Sequence, residues 1–190
     1  DCITISKKQL DFTKKRIFSA GLNEKVDIKF LDYRDLKGKY DSIASIEMIE
    51  AVGEKYLDKY FSTIKENLKP GGIGAIQSII IKDELFERYR KNEDFIQKYI
   101  FPGGFLPSLH SIKDHCKKSG LELTGYNSYG SHYSNTLKEW RGNFAESWND
   151  ISKQGFDLSF KKIWNFYFSY CEAGFKSKNI DLIQFSLSNK

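Results

Sequence analysis

The chain has 190 residues, 40% of them hydrophobic, and a formal net charge of +5. That length predicts one domain with a core of its own, and no apolar stretch approaches the ~18 residues that a membrane-spanning helix needs. Cys2, Cys116 and Cys171 stand far apart, with no CxxC and no zinc-like interval to the three histidines, which argues against a disulfide framework or zinc site and suits a reducing cytosol. The positive charge fits a solvated lysine-rich surface. It equally fits attraction to an anionic leaflet, where each nearby basic side chain contributes about 1 kcal/mol. Asp1-Cys-Ile-Thr-Ile has neither a charged leader nor a longer apolar region, so no signal peptide is expected.

In chain order, Cys2 to Ile5 is predicted as a short strand. Ser6 and Gln9 then form an S-x-x-Q capping box for a helix that continues through Leu10, Thr13, Ile17 and Ala20 and ends at Gly21. Val26, Ile28 and Phe30 alternate, giving a strand from Lys25 to Leu31 with a polar exit at Asp32-Tyr33-Arg34-Asp35. Ile43, Ala44, Ile46 and Met48 form an apolar run, the pattern of a strand buried on both faces. Glu50-Ala-Val-Gly53 breaks it and leaves a carboxylate at the strand end. From Glu54 the period becomes helical, with Leu57, Tyr60, Phe61, Ile64 and Leu68 on one stripe. Lys69-Pro70-Gly71-Gly72 stops this helix, and Ile73 to Ile81 is again a strand. Two strands joined by a crossover helix predict a right-handed unit in a parallel sheet, whose ligands gather at the carboxyl ends of the strands. Glu50 and Gln77 lie at or near those ends.

After Ile81 the pattern predicts short helices at Asp83–Arg90 and Asp94–Tyr99, the apolar loop IFPGGFLPS, and a helix capped by Ser108 that ends near Gly120. A strand follows from Leu121 to Tyr126, then a polar loop from Gly130 to Thr136 with His132 and Tyr133 at its centre. Helices over Leu137–Trp148 and about Phe156–Phe175 precede a last strand, Leu182–Leu187. The last two strands suit the antiparallel edge of a mixed sheet, and the helices between them a cap over the strand ends. Trp164, Phe166, Tyr167, Phe168 and Tyr170 surround the last helix. Most of these rings are expected in the core, and a minority in the wall of an acyl tunnel.

Four motifs carry a resemblance: DYRDLKGKYDSIASIEMIEAVG, FIQKYIFPGGFLPS, GSHYSNTL and YCEAGFKSKNID, together with LKPGG between helix and strand. In this order they resemble the cyclopropane-fatty-acyl-phospholipid synthases and mycolic acid cyclopropane synthases, over nearly the whole chain. The resemblance implies an α/β fold, a Rossmann-like methyltransferase mixed sheet with a helical cap before the last strands. Residues 1–81 would be the cofactor side, 82–181 the cap and sixth strand, and 182–190 the last strand of one domain. It implies S-adenosylmethionine-dependent transfer of a methyl group to the cis double bond of an acyl chain. A bound bicarbonate then acts as base and the ring closes. The implied partner is an unsaturated phospholipid at the membrane surface, with no nucleic acid, and the implied location is cytoplasmic, at the inner face of the membrane.

The same resemblance assigns residues. The family's acidic motif falls on Glu50, with Ala51 where the family has His. Its L-H-T-I falls on Ile76-Gln77-Ser78-Ile79, so Gln77 replaces His and can hold an ion through hydrogen bonds without changing charge near neutral pH. Ile79 would offer backbone alone, Tyr133 would reach the same ion, and Cys171 matches a cysteine regarded as catalytic. Thr4, Ile5, Ser6 and Gln9 match the T-L-S-x-x-Q that lines the ribose and methionine side, and Tyr33 and Arg34 the positions beside the adenine. Read without the resemblance, Glu50 is an acid in a helix's first turn, Gln77 a strand amide, Tyr133 a loop tyrosine and Cys171 a buried small side chain. The family's Gly-rich turn and first strand are expected upstream of Asp1, and no G-x-G-x-x-G occurs. A non-catalytic remnant is therefore the competing reading, and a dehydrogenase a third that the cap motifs disfavour. With the first strand absent, the first forty residues are expected to pair in a non-family way or to exchange with a second copy, and cofactor binding to be weak.

Overall fold

The computed structural model describes all 190 residues. The amino-terminal unit is β1 (Cys2–Thr4), α1 (Lys7–Ser19) and β2 (Ile28–Phe30). Then come β3 (Tyr40–Ile46), α2 (Ile49–Val52), α3 (Leu57–Asn67) and β4 (Leu68–Ile81). The cap region holds α4 (Asp83–Tyr89), α5 (Phe95–Tyr99), α6 (Leu109–Ser119), β5 (Glu122–Ser128), α7 (Gly130–Glu146), α8 (Trp148–Lys153) and α9 (Leu158–Lys176), and β6 (Ile180–Ser188) ends the fold. β1 and β2 form a parallel pair, and the other strands form a sheet in the order β3-β4-β6-β5. β3 and β4 are parallel, while β6 runs antiparallel to both β4 and β5. This is the expected mixed α/β sheet.

The apolar stripe of α3 explains where the core sits. Leu57, Tyr60, Phe61, Ile64 and Leu68 are all buried, and they pack with Ile76, Ile183, Phe185 and Leu187 of the sheet and Ile112 and Cys116 of α6. A second cluster joins Leu137 of α7 and Phe168 and Phe175 of α9 to Leu182 of β6. The handover from α3 to β4 depends on glycine. Gly71 has φ +76°, and a Cβ on Gly72 would stand 2.9 Å from the Lys69 carbonyl oxygen. The extra residues bulge out between the Tyr40–Leu68 and Ser42–Ile73 pairs, and Asn189 clasps them by backbone hydrogen bonds to Gly71 and Gly72.

Several expectations need correction. β3 is not buried on both faces: it packs mainly on β4, and Ile46 remains 63% exposed. The strands of the amino-terminal unit pair with each other within the chain. β1 lies parallel to β2, Cys2 against Ile28, and neither shares a ladder with β3. The Ser6 capping box is half formed: the Ser6 hydroxyl accepts the Gln9 N–H at 3.3 Å, but the Gln9 side chain accepts the Thr4 hydroxyl instead. The reciprocal box occurs at Asp94 and Gln97, opening α5.

The largest correction concerns His132 and Tyr133, which lie in the first turn of α7 rather than in a loop. The cap for that helix comes from far away in sequence. The Asp181 carboxylate of β6 accepts the Gly130 N–H at 2.8 Å and the Ser128 hydroxyl at 2.5 Å. A Cβ at position 130 would collide with that carboxylate, so glycine is what permits the approach.

Candidate active site

A cavity of about 1040 Å³ opens between α2, the carboxyl end of β4, the segment from α4 to Leu106, α7 and α9, and 19 of its 28 lining residues are hydrophobic. Its size is at the upper end of ordinary ligand cavities. Glu50, Ile79, Tyr133 and Cys171 all line it, so four of the five expected catalytic positions converge on one space.

Glu50 reaches the cavity from α2, which follows β3 directly. Its backbone carbonyl accepts the Phe105 N–H at 2.8 Å, tying α2 to the Phe101–Phe105 turn. One carboxyl oxygen, Oε1, accepts the Ile79 N–H at 2.5 Å, while Oε2 is buried with no partner. Burial pushes this carboxyl above its ordinary range, against the hydrogen bonds that favour its charged form. A protonated Oε2 could donate to an anion, and an ionised one could accept from a hydroxyl. The Ile79 amide is already engaged by Glu50, so this residue shapes the carboxyl rather than presenting a free donor.

Tyr133 packs its ring against Phe175 at 4.9 Å, and its hydroxyl donates to Glu47 Oε2 at 3.3 Å. Burial, then the Glu47 charge, pushes the phenol well above its usual range, so it acts as a hydrogen-bond donor. Cys171 sits on α9, where burial pushes the thiol up to about 12. It is a neutral thiol near pH 7 and therefore a poor nucleophile.

Gln77 departs from expectation. It does not line the cavity; its amide donates to Glu47 Oε1 at 2.8 Å and its carbonyl accepts from the Gln184 amide at 2.8 Å. It acts on the site through Glu47, which lines the cavity with Glu50 and Asp94 and which the sequence reading gave no role. Glu47 has φ +50°, rare for a residue with a side chain. A second acid at the strand exit in Ser45-Ile-Glu-Met-Ile-Glu50 was the available signal.

The expected cofactor residues form a separate group outside this cavity. Parallel pairing of β1 and β2 brings Thr4, Ile5, Ser6 and Gln9 to the same strand ends as Tyr33 and Arg34. Thr4 and Gln9 are hydrogen bonded, and Arg34 grips Asp32 through two bonds of 3.0 and 2.7 Å, which holds the Asp32 carboxyl below the usual range. Arg34 also lies over the Tyr56 ring, and Tyr33 meets Tyr60 edge-on at 5.9 Å. Hydroxyl, amide and carboxylate groups beside aromatic faces suit a nucleoside carrying an amino-acid chain. The unpartnered Glu50 oxygen suits a small oxyanion.

A family model described as mycolic acid cyclopropane synthetase matches residues 2–185. The chain belongs to that family. It is 39% identical over 186 residues to a tuberculostearic acid methyltransferase of Mycobacterium tuberculosis, covering 97% of this chain and 44% of that protein. It is 34% identical over 183 residues to the cyclopropane-fatty-acyl-phospholipid synthase of Escherichia coli, covering 96% of this chain and 45% of that one. The chain thus spans somewhat under half the length of these relatives. A mycolic acid cyclopropane synthase solved with SAH and CTAB superposes with a TM-score of 0.82 at 23% identity, over 98% of this chain and 68% of that one. At that identity the likeness establishes the fold, a Rossmann-like methyltransferase.

Proposed function

We propose that this chain carries the acyl-binding and catalytic side of an S-adenosylmethionine-dependent transferase. It adds a methyl or methylene group to the cis double bond of an unsaturated phospholipid chain. The observation that carries this reading is the apolar cavity ending at Glu50, a buried carboxyl with one unpartnered oxygen. Thr4, Ile5, Ser6, Gln9, Tyr33 and Arg34 would hold S-adenosylmethionine, which would supply an electrophilic methyl group. The cavity holds the alkene and excludes water, as a weak, uncharged nucleophile requires. Glu50 holds a bicarbonate ion through its free oxygen, and Tyr133 borders the same space. Cys171 and Ile79 shape the wall.

The proposed substrate also accounts for the cavity mouth. Phe101, Trp140 and Tyr170 line the cavity and are at the same time more than 40% exposed. Phe166 stacks on Tyr170 and meets Phe95 at 4.5 Å, and Lys98 lies over the neighbouring Tyr99 ring. Aromatic rings with a nearby lysine favour the headgroup level of an anionic membrane. No helix is long and apolar enough to cross that membrane, which suits peripheral attachment at the cytoplasmic face.

Turnover is best read in the protein that contains this chain, with vesicles of oleoyl phospholipid and isotopically labelled S-adenosylmethionine. Mass spectrometry should find labelled acyl chains heavier by one methylene. Glu50→Gln should lower that yield by about a hundred-fold or more, the size of effect seen when a charge-handling group leaves a site. Unlabelled lipid with intact cofactor binding would instead favour a non-catalytic acyl-binding role.

A further inference from the structure

We propose that Glu47 supplies a fixed negative charge facing the cationic carbon that methyl addition leaves in the bound acyl chain. The inference rests on the acyl-cavity reading above and adds a second carboxyl with a task distinct from that of Glu50. Glu47 lines the same cavity. Its Oε1 accepts from the Gln77 amide and its Oε2 from the Tyr133 hydroxyl. Gln184 occupies the Gln77 carbonyl, so the Gln77 amide group is committed to donating. Both carboxyl oxygens of Glu47 therefore act as acceptors, each from a neutral donor. No lysine, arginine or histidine pairs with it: the partners are neutral, and the charge is left for whatever enters the cavity.

The contrast with Glu50 assigns the roles. Glu50 has one oxygen buried without a partner, and burial raises its proton affinity, with the Glu47 charge adding to the rise. Two neighbouring carboxyls in different environments divide the work of carrying a proton and carrying a charge. Glu47 is also held at φ +50°, with its N–H on the Gln77 backbone carbonyl at 2.9 Å. An unfavourable backbone retained by surrounding contacts in the wall of a site fits a functional constraint. The Tyr133 and Tyr167 rings in the same wall can add their π faces to the stabilisation of a cation.

The test needs no turnover and uses this chain as it stands. Hexadecyltrimethylammonium carries a fixed cation on an acyl-like tail, and hexadecanol has the tail without the charge. Binding of each, below its micelle concentration, is read from the fluorescence of Trp140 in the cavity wall. Glu47→Gln should weaken the cationic probe by about ten-fold or more, as expected when one member of a close charge pair is neutralised, and leave hexadecanol unchanged. Glu50→Gln should alter the ratio of the two affinities less. If Glu47→Gln binds both probes like the unchanged chain, or loses both equally, the inference fails, the second outcome making Glu47 a structural clasp. A larger shift in Glu50→Gln moves the charge to Glu50 and also overturns it. If the unchanged chain binds neither probe, the acyl-cavity reading itself fails, a result separable from the others.

Discussion

The first 48 residues and the remainder of the chain are built on different terms. No residue before Ile49 is buried, whereas both hydrophobic clusters draw all their buried members from Ile49 onward. α1 packs mainly on β1 and β2, two strands of three residues each, and leaves Phe12 66% and Phe18 74% exposed. Its order comes from the Ser6 cap and a short parallel ladder, and such elements are marginal on their own. The acyl side, by contrast, places Glu50 beside fully buried Ile49 and Leu57. Motif positions can thus persist in two regions of one chain while only one of them is anchored in a core.

The sharpest way to break this contrast is to empty the core beneath α3. Phe61 is fully buried, edge-on to Tyr60 at 5.2 Å and stacked on His115 at 5.8 Å. Phe61→Ala should cost about 3–5 kcal/mol, through lost burial and the cavity left behind. Urea denaturation followed by tryptophan fluorescence measures it. A cost under about 1 kcal/mol would mean that the core is elsewhere.

That helix was legible because its signal is local: Leu57, Tyr60, Phe61 and Ile64 at helical spacing all proved buried, while Leu68, the fifth of the expected stripe, opens β4. The cap at Ser108 was legible for the same reason. The start of α7 was not, since its cap is Asp181, fifty-one residues on in sequence. Gln77 could be placed on its strand, but which way its amide faces depends on Gln184 and Glu47, contacts made only in the folded sheet. Glu47 itself was missed although a second acid stood at the strand exit, because a left-handed backbone there usually signals glycine and its turn into the cavity is set by the fold. The shortness of β1 and β2 was hidden too, because alternation records which faces could be buried and not whether anything covers them.

A smaller effect should separate the two regions through pH. Glu50 has a proton affinity raised by burial, so its ionisation opposes folding. The sign follows from linkage: below the ordinary glutamate range both states hold the proton and there is no penalty. As pH rises through that range toward the raised folded value, stability falls, and above it the loss is complete. Glu50→Gln removes this term while its side-chain oxygen can still accept the Ile79 N–H. Thermal melts at pH 4 and pH 8 should therefore show a variant more stable than the unchanged chain at the higher pH alone. An equal difference at both values would assign the effect to packing.

The smallest effect is expected at an exposed ring of the amino-terminal unit. Phe18 lies beside Ile17, near the end of α1. Here the ring keeps most of its surface in solvent, and no buried side chain of α1 exists for it to join. Little apolar area leaves water on folding, so Phe18→Ser gives up little transfer free energy. Serine has a slightly lower helix propensity than the best formers, a few tenths of a kcal/mol near a helix end. The sum should stay within about 0.5 kcal/mol, the range of ordinary surface substitutions. Chemical denaturation of the variant beside Phe61→Ala, under one set of conditions, measures both ends of the contrast. A loss above about 2 kcal/mol for Phe18→Ser would show that this ring is covered in solution, and the description of two differently anchored regions would then have to be given up.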